Sequence, residues 1–145
     1  DVICGFPGED DAAFADTVRV LERVQFDSAF IFKYSERRNT IAQRKFADDV
    51  PDAVKTARVV QVNELQKEIA RARNRAYIGR VLPVLLEGPS RKSSTDLLGR
   101  DDANHCVVLP GQGLASGMTV PVRIDAASAH TLLGTALQSQ DCACP

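Results

Sequence analysis

Hydrophobic and polar positions alternate with two different periods along this chain, and the change from one to the other divides it. At the start, Val2-Ile3-Cys4 is a short apolar run. It meets a Gly5-Phe6-Pro7-Gly8 turn and then the acids Glu9, Asp10 and Asp11. A strand, a glycine turn and an acidic helix start make one βα unit of a parallel sheet. The helix is expected from about Asp10 to Val24, with Phe14, Thr17, Val18, Leu21 and Val24 forming one apolar stripe. The acids in its first turn suit the helix dipole. Asp27–Ser35 is rich in aromatics and predicts a second strand covered on both faces. Two strands around one helix make a crossover, for which the right hand is expected.

Residues 36–50 read as a basic loop with Arg37, Arg38, Arg44 and Lys45, and with Asn39-Thr40 as its turn signal. Pro51 then suits the first turn of a long helix running to about Ala76. Its buried stripe is expected to be Val54, Val62, Leu65, Ile69 and Ala72. Lys55, Arg58, Lys67, Arg71, Arg73 and Arg75 are expected to decorate the rest.

From Tyr77 the helical period stops and short strands separated by turn residues take over. The candidates are Arg80–Glu87, Leu97–Asp101, His105–Leu109, Thr119–Ala126 and His130–Leu137. Val120, Val122 and Ile124 alternate with Thr119, Pro121, Arg123 and Asp125, the signature of a half-buried strand. Five short strands in one stretch predict a small barrel, an architecture that often binds nucleic acid. Residues 138–145 read as a flexible tail.

Charge changes this picture more than overall composition does. The net charge is −1, yet residues 33–80 hold twelve basic and six acidic side chains, whereas residues 1–32 hold two and seven. A basic middle suits either a polyanion partner or a solvated helix face. No apolar run is long enough to span a membrane. The cysteines are Cys4, Cys106, Cys142 and Cys144. Cys4 is expected in the core. Cys142 and Cys144 form a terminal C-x-C that suits a disordered end or a metal or redox role. This usage fits a reducing, cytoplasmic setting. Neither His105 nor His130 has a cysteine at metal-ligand spacing, and both read as ordinary strand residues. The chain begins in an apolar strand and holds one methionine, Met118, so it is expected to be the C-terminal piece of a longer protein.

Several of these motifs carry a family resemblance. Asp1–Glu9 resembles the penultimate-strand motif of a radical-SAM barrel. Phe26–Ser35, followed by Arg37 and Thr40, resembles the last barrel strand of the tRNA methylthiotransferases. Val50-Pro51, Gln66, Asn74 and Gly79 resemble their closing helix. Glu87–Lys92, Gly99-Arg100, Asn104 and Val107–Gly111 resemble their C-terminal TRAM domain, an RNA-binding β-barrel. The family's Pro-Gly-Thr-Pro is replaced here by Arg38-Asn39-Thr40-Ile41.

The resemblance implies an α/β plus all-β fold. The last βαβα portion of a radical-SAM partial TIM barrel would occupy residues 1–76, and a five-stranded OB-like TRAM barrel residues 77–137. It implies a monomeric enzyme that methylthiolates C2 of N6-isopentenyladenosine beside the anticodon, using S-adenosylmethionine and two [4Fe-4S] clusters. The sister families acting on a ribosomal-protein aspartate or on threonylcarbamoyladenosine are alternatives, as is a non-catalytic RNA-binding module. The three cysteines of a radical-SAM cluster, at C-x-x-x-C-x-x-C spacing, do not occur here, so this piece alone is expected to be inactive.

Ile3 and Gly5 would lie on the S-adenosylmethionine side, where a glycine lets the main chain approach a ligand. Alternatively Gly5 and Gly8 serve only the turn. Arg37 would reach the tRNA backbone, the S-adenosylmethionine carboxylate or a surface salt bridge. Arg91, Lys92 and Arg100 would neutralise phosphates, and Asn104 would bond a base edge of the anticodon stem-loop.

Overall fold

In the computed structural model, residues 1–91 and 93–137 are described. The chain divides into two compact units, Asp1–Ala70 and Arg71–Pro145.

In the first unit, β1 (Val2–Cys4) and β2 (Ile31–Lys33) pair in parallel, Ile3 opposite Phe32, with α1 (Asp11–Val24) between them in sequence. The expected start of α1 is met. Asp10 caps it by accepting the Ala13 N–H, and Gln25 closes it in a left-handed conformation. Cys4 packs with Phe14 and Leu21 of α1 and with Val62 and Ile69 of α3 (Asp52–Arg75). These contacts cover one face of the two-stranded sheet. The other face corrects the expectation of a strand buried on both sides, because Ile3 is 54% exposed and Phe32 50%. β2 is also shorter than the expected Asp27–Ser35. Among the described residues it pairs with β1 alone, so its ladder ends with β1.

The expected basic loop contains a short helix, α2 (Ile41–Lys45). Thr40 Oγ1 accepts the Gln43 N–H, and Gln43 Oε1 accepts the Asn39 N–H. That reciprocal exchange satisfies helix-start donors as a capping box does. The long helix holds close to its expected limits, with Pro51 just ahead of it accepting the Lys55 N–H. Its surface assignment needs correction. Lys55 and Arg58, expected outside, are 4% and 6% exposed, whereas Val54 and Ala72 are exposed.

The second unit holds a closed barrel of β3 (Val81–Pro89), β4 (Asp96–Arg100), β5 (Cys106–Pro110), β6 (Thr119–Ala127) and β7 (Leu132–Ala136), in the order β3-β4-β5-β7-β6. All five expected strands are present. Every pairing is antiparallel except β5 with β7. The inward residues of the period-two pattern fill the interior: Val84, Leu86, Val107, Leu109, Val120, Val122, Ile124 and Leu132. Bulges between Leu86 and Gly88 on β3 and between Ile124 and Ala126 on β6 supply the bends that closure needs.

Candidate nucleic-acid interface

The turn between β4 and β5 is organised by one buried carboxylate. Asp101 Oδ1 accepts the backbone N–H of Ala103 (3.1 Å) and of His105 (2.7 Å), and Oδ2 pairs with His105 Nδ1 at 2.8 Å. The contact with the carboxylate through Nδ1 orients the ring and turns Nε2 away from Asp101. Nε2 is buried and has no partner among the described residues. His105 therefore differs from its expected part as an ordinary strand residue. It lies just ahead of β5 and belongs to a polar cluster. His130 also lies outside its expected strand, in a turn held by Ser128 Oγ, which accepts the N–H of His130 and of Thr131.

This turn presents two of the expected RNA-binding residues together. Asn104 adopts a left-handed backbone, φ +66°, which suits asparagine. Its carbonyl and Oδ1 both accept from Arg100 Nη1, at 3.2 and 3.1 Å. Arg100 Nε faces Glu87 Oε1 at 3.3 Å. Arg100 thus enters any complex with part of its donor set already spent. Arg91 is exposed in the turn between β3 and β4. Lys92 lies outside the described residues, as do Cys142 and Cys144.

In the first unit, the turn after β1 is packed from behind by α3. Gly5 has φ +78°, and a Cβ built there would lie 2.3 Å from Lys55 Cγ. The close approach that requires glycine at this position is therefore to the lysine stem. Lys55 Nζ is gripped by Asp48 at 2.5 and 2.6 Å and lies 5.1 Å from the centre of the Tyr34 ring. Phe6 packs edge-on against both Tyr34 and Phe46. Gly8 donates its N–H to Asp49 Oδ1. Ile3 is exposed on the open sheet face. Arg37 is exposed, and its carbonyl accepts from the Thr40 hydroxyl.

Arg58 reaches Glu9 through both its carbonyl and its carboxylate, each at 2.8 Å, and Asp11 Oδ1 at 2.7 Å. Burial pulls the Arg58 pKa down, but the two acids outweigh it and hold the guanidinium above its ordinary value. An acid-lined depression of about 340 Å³ opens beside Glu9, Asp10, Asp11 and Asp49. None of the expected site residues lines it, and its charge repels phosphate.

Sequence reasoning missed Lys55, Arg58 and the Asp101–His105 pair. The i, i+4 spacing of Asp101 and His105 around a turn was an available signal. The buried cations carried none, because a helix with scattered lysines and arginines reads as solvated. Among the described residues, no three His, Cys, Asp or Glu side chains converge as a metal site. No helix among them is long and apolar enough to cross a membrane.

Residues 75–137 match the TRAM domain family. Nearly the whole chain is similar to proteins named tRNA-2-methylthio-N(6)-dimethylallyladenosine synthase. It is 45% identical over 139 residues to the one from Chlorobium chlorochromatii, covering 96% of this chain and 31% of that protein. It is 40% identical over 139 residues to one from Porphyromonas gingivalis, with 96% and 30% covered. It is 42% identical over 134 residues to that of Moorella thermoacetica, with 92% and 30% covered. The match falls on the C-terminal region of these proteins, and the chain spans about a third of their length.

Proposed function

We propose that this chain is the C-terminal third of a tRNA methylthiotransferase that acts on N6-dimethylallyladenosine beside the anticodon. The observation that carries this reading is similarity along nearly the whole chain to proteins sharing that one name, joined to a TRAM-family match that spans the closed barrel. That shared name favours the adenosine substrate over a ribosomal-protein aspartate or threonylcarbamoyladenosine.

In this reading residues 1–76 complete a radical-SAM barrel, residues 77–137 grip RNA, and the enzyme is a cytoplasmic monomer. The cofactors are S-adenosylmethionine and two [4Fe-4S] clusters, which together supply radical hydrogen abstraction and sulfur transfer. Among the described residues the donors do not fit a cluster: Cys4 is buried in the first unit, Cys106 stands in the second, and no three His, Cys, Asp or Glu side chains converge. The part assigned to this chain is support. Ile3 presents an apolar side chain on the open sheet face to the adenosine. Lys55, Asp48 and Asp49 hold the Gly5–Gly8 turn in shape beside it. Arg37, Arg91, Lys92 and Arg100 neutralise tRNA phosphates, and Asn104 bonds a base edge.

The test is mass analysis of tRNA nucleosides from cells lacking the gene. Loss of 2-methylthio-N6-isopentenyladenosine, with the unmodified isopentenyl nucleoside accumulating, is expected. An unchanged level would overturn the reading.

A further inference from the structure

We infer that Arg80, laid over the ring of Tyr77, is a nucleobase-stacking position for unpaired RNA. This rests on the RNA-contact reading above and adds to it a residue and a mode of contact.

Tyr77 is half-buried against the barrel core, and its ring centre lies 4.6 Å from that of His105. The His105 side chain is 8% exposed and is locked to Asp101. One support of the tyrosine is therefore a ring that is itself fixed. The backbone that follows is equally constrained. Gly79 N–H donates to the Ile124 carbonyl, Ile124 N–H donates to the Arg80 carbonyl, and Arg80 N–H donates to the Tyr77 carbonyl, all within 2.8–3.0 Å.

Arg80 leaves this frame at an exposed position and sets its guanidinium carbon 4.9 Å from the Tyr77 ring centre. Arg100 and Arg123 give guanidinium donors to Glu87, Asn104 and Asp125. The Arg80 guanidinium makes no such bond among the described residues. Among the described residues its donors are free, and its guanidinium lies over an aromatic ring.

That combination suits a base better than a phosphate alone. A phosphate can be neutralised by any mobile cation. A planar, weakly hydrated guanidinium resting on a ring offers its other face to a third planar group. The partner must be unpaired, because the faces of duplex bases are already covered by their neighbours. A loop nucleotide of an RNA stem-loop meets that requirement, and the free in-plane N–H groups then lie near its backbone.

The experiment measures binding of the whole chain to an anticodon stem-loop RNA across a salt series. Arg80→Lys keeps the charge and removes the plane. Stacking requires Arg80→Lys to weaken binding by about fivefold or more, with the salt slope unchanged. Arg91→Ala, a phosphate control, should instead lower the slope by about one. On adding RNA to the parent chain, the Arg80 Nε–H proton should move upfield in the ring current of the base. Full affinity of Arg80→Lys, or an unmoved Nε–H, would overturn the stacking assignment while leaving RNA contact intact. If the parent chain does not bind the stem-loop, the RNA-contact reading fails and this one falls with it. The position is exposed, so an unchanged thermal unfolding curve is expected for Arg80→Lys and confirms that the variant is folded.

Discussion

Replacing Gly5 by alanine should destabilise the first unit well beyond replacing Gly8 by alanine. Both residues have left-handed backbones, φ +78° and +82°. Each alanine therefore loses roughly 1–2 kcal/mol for that conformation alone. The surroundings differ. At Gly8 no heavy atom lies within 4 Å of a built Cβ, whereas at Gly5 the Cγ, Cδ and Cβ of Lys55 lie at 2.3, 2.9 and 3.0 Å. The lysine stem yields only by drawing Nζ away from Asp48. Forcing a methyl into such a packed place costs a further ~1–3 kcal/mol. Gly5→Ala should therefore lose roughly 2–5 kcal/mol in total, and Gly8→Ala about 1–2.

Urea unfolding measures both. The chain has no tryptophan and two tyrosines. In a Tyr77→Phe background, emission from Tyr34 reports the first unit, since its ring packs 5.1 Å from that of Phe6 beside this turn. A Gly5→Ala/Lys55→Ala double variant removes the obstructing stem. It should lose less than the sum of the two single losses, by about 1 kcal/mol. Equal midpoints for Gly5→Ala and Gly8→Ala, or strict additivity in the double variant, would refute the reasoning.

Three further outcomes follow from the same geometry. Arg58→Met strands the largely buried Glu9 carboxylate and should lower stability by about 3 kcal/mol, with part of the loss regained by adding Glu9→Gln; chemical denaturation measures both. Asp125 accepts from the Thr135 hydroxyl at 2.7 Å and from Arg123 Nε, and these bonds hold its carboxyl below the ordinary aspartate value. The unfolded chain then binds the proton more readily, so this contribution is complete above the ordinary aspartate pKa and fades as pH falls through the lower folded value. Thermal melts taken into acid should show a small decline that Asp125→Asn flattens, small because the side chain faces solvent. Burial, aided by Glu9 and opposed by Arg58, pushes the Cys4 thiol up. Iodoacetamide should therefore label Cys106 well before Cys4 in folded protein and both alike in urea, as read by peptide mass mapping.

The barrel was legible because β3, β5, β6 and β7 bury alternate residues, and period two survives in the sequence wherever one face is wet. The starts of α1 and α3 were legible from Asp10 and Pro51. The faces of α3 were not. A helix that buries Lys55 and Arg58 does so because acids outside it meet them, Asp48 from the segment just ahead of the helix and Glu9 and Asp11 from far off in sequence, and the apolar period of the helix records neither meeting. The Thr40-x-x-Gln43 cap was written in the sequence but hidden under the basic residues around it. At the turn between β4 and β5, Arg100 and Asn104 were identifiable as polar residues near a turn. Their bond to one another depends on the left-handed φ of Asn104, which a residue type permits but does not announce.

The contrast between the two sheets bears on how this chain, taken alone, behaves in the test tube. A closed barrel offers no unpaired strand edge to a neighbouring molecule. The β1–β2 sheet has an open edge on each side among the described residues, with Ile3 and Phe32 exposed together on one face. Open edges beside exposed apolar side chains are templates for strand addition. Clumping of this chain taken alone should therefore start in residues 1–70, and strands that pair with β1 and β2 in a longer chain should suppress it. Charged substitutions at Ile3 and Phe32 should improve solubility more than any change on the barrel surface.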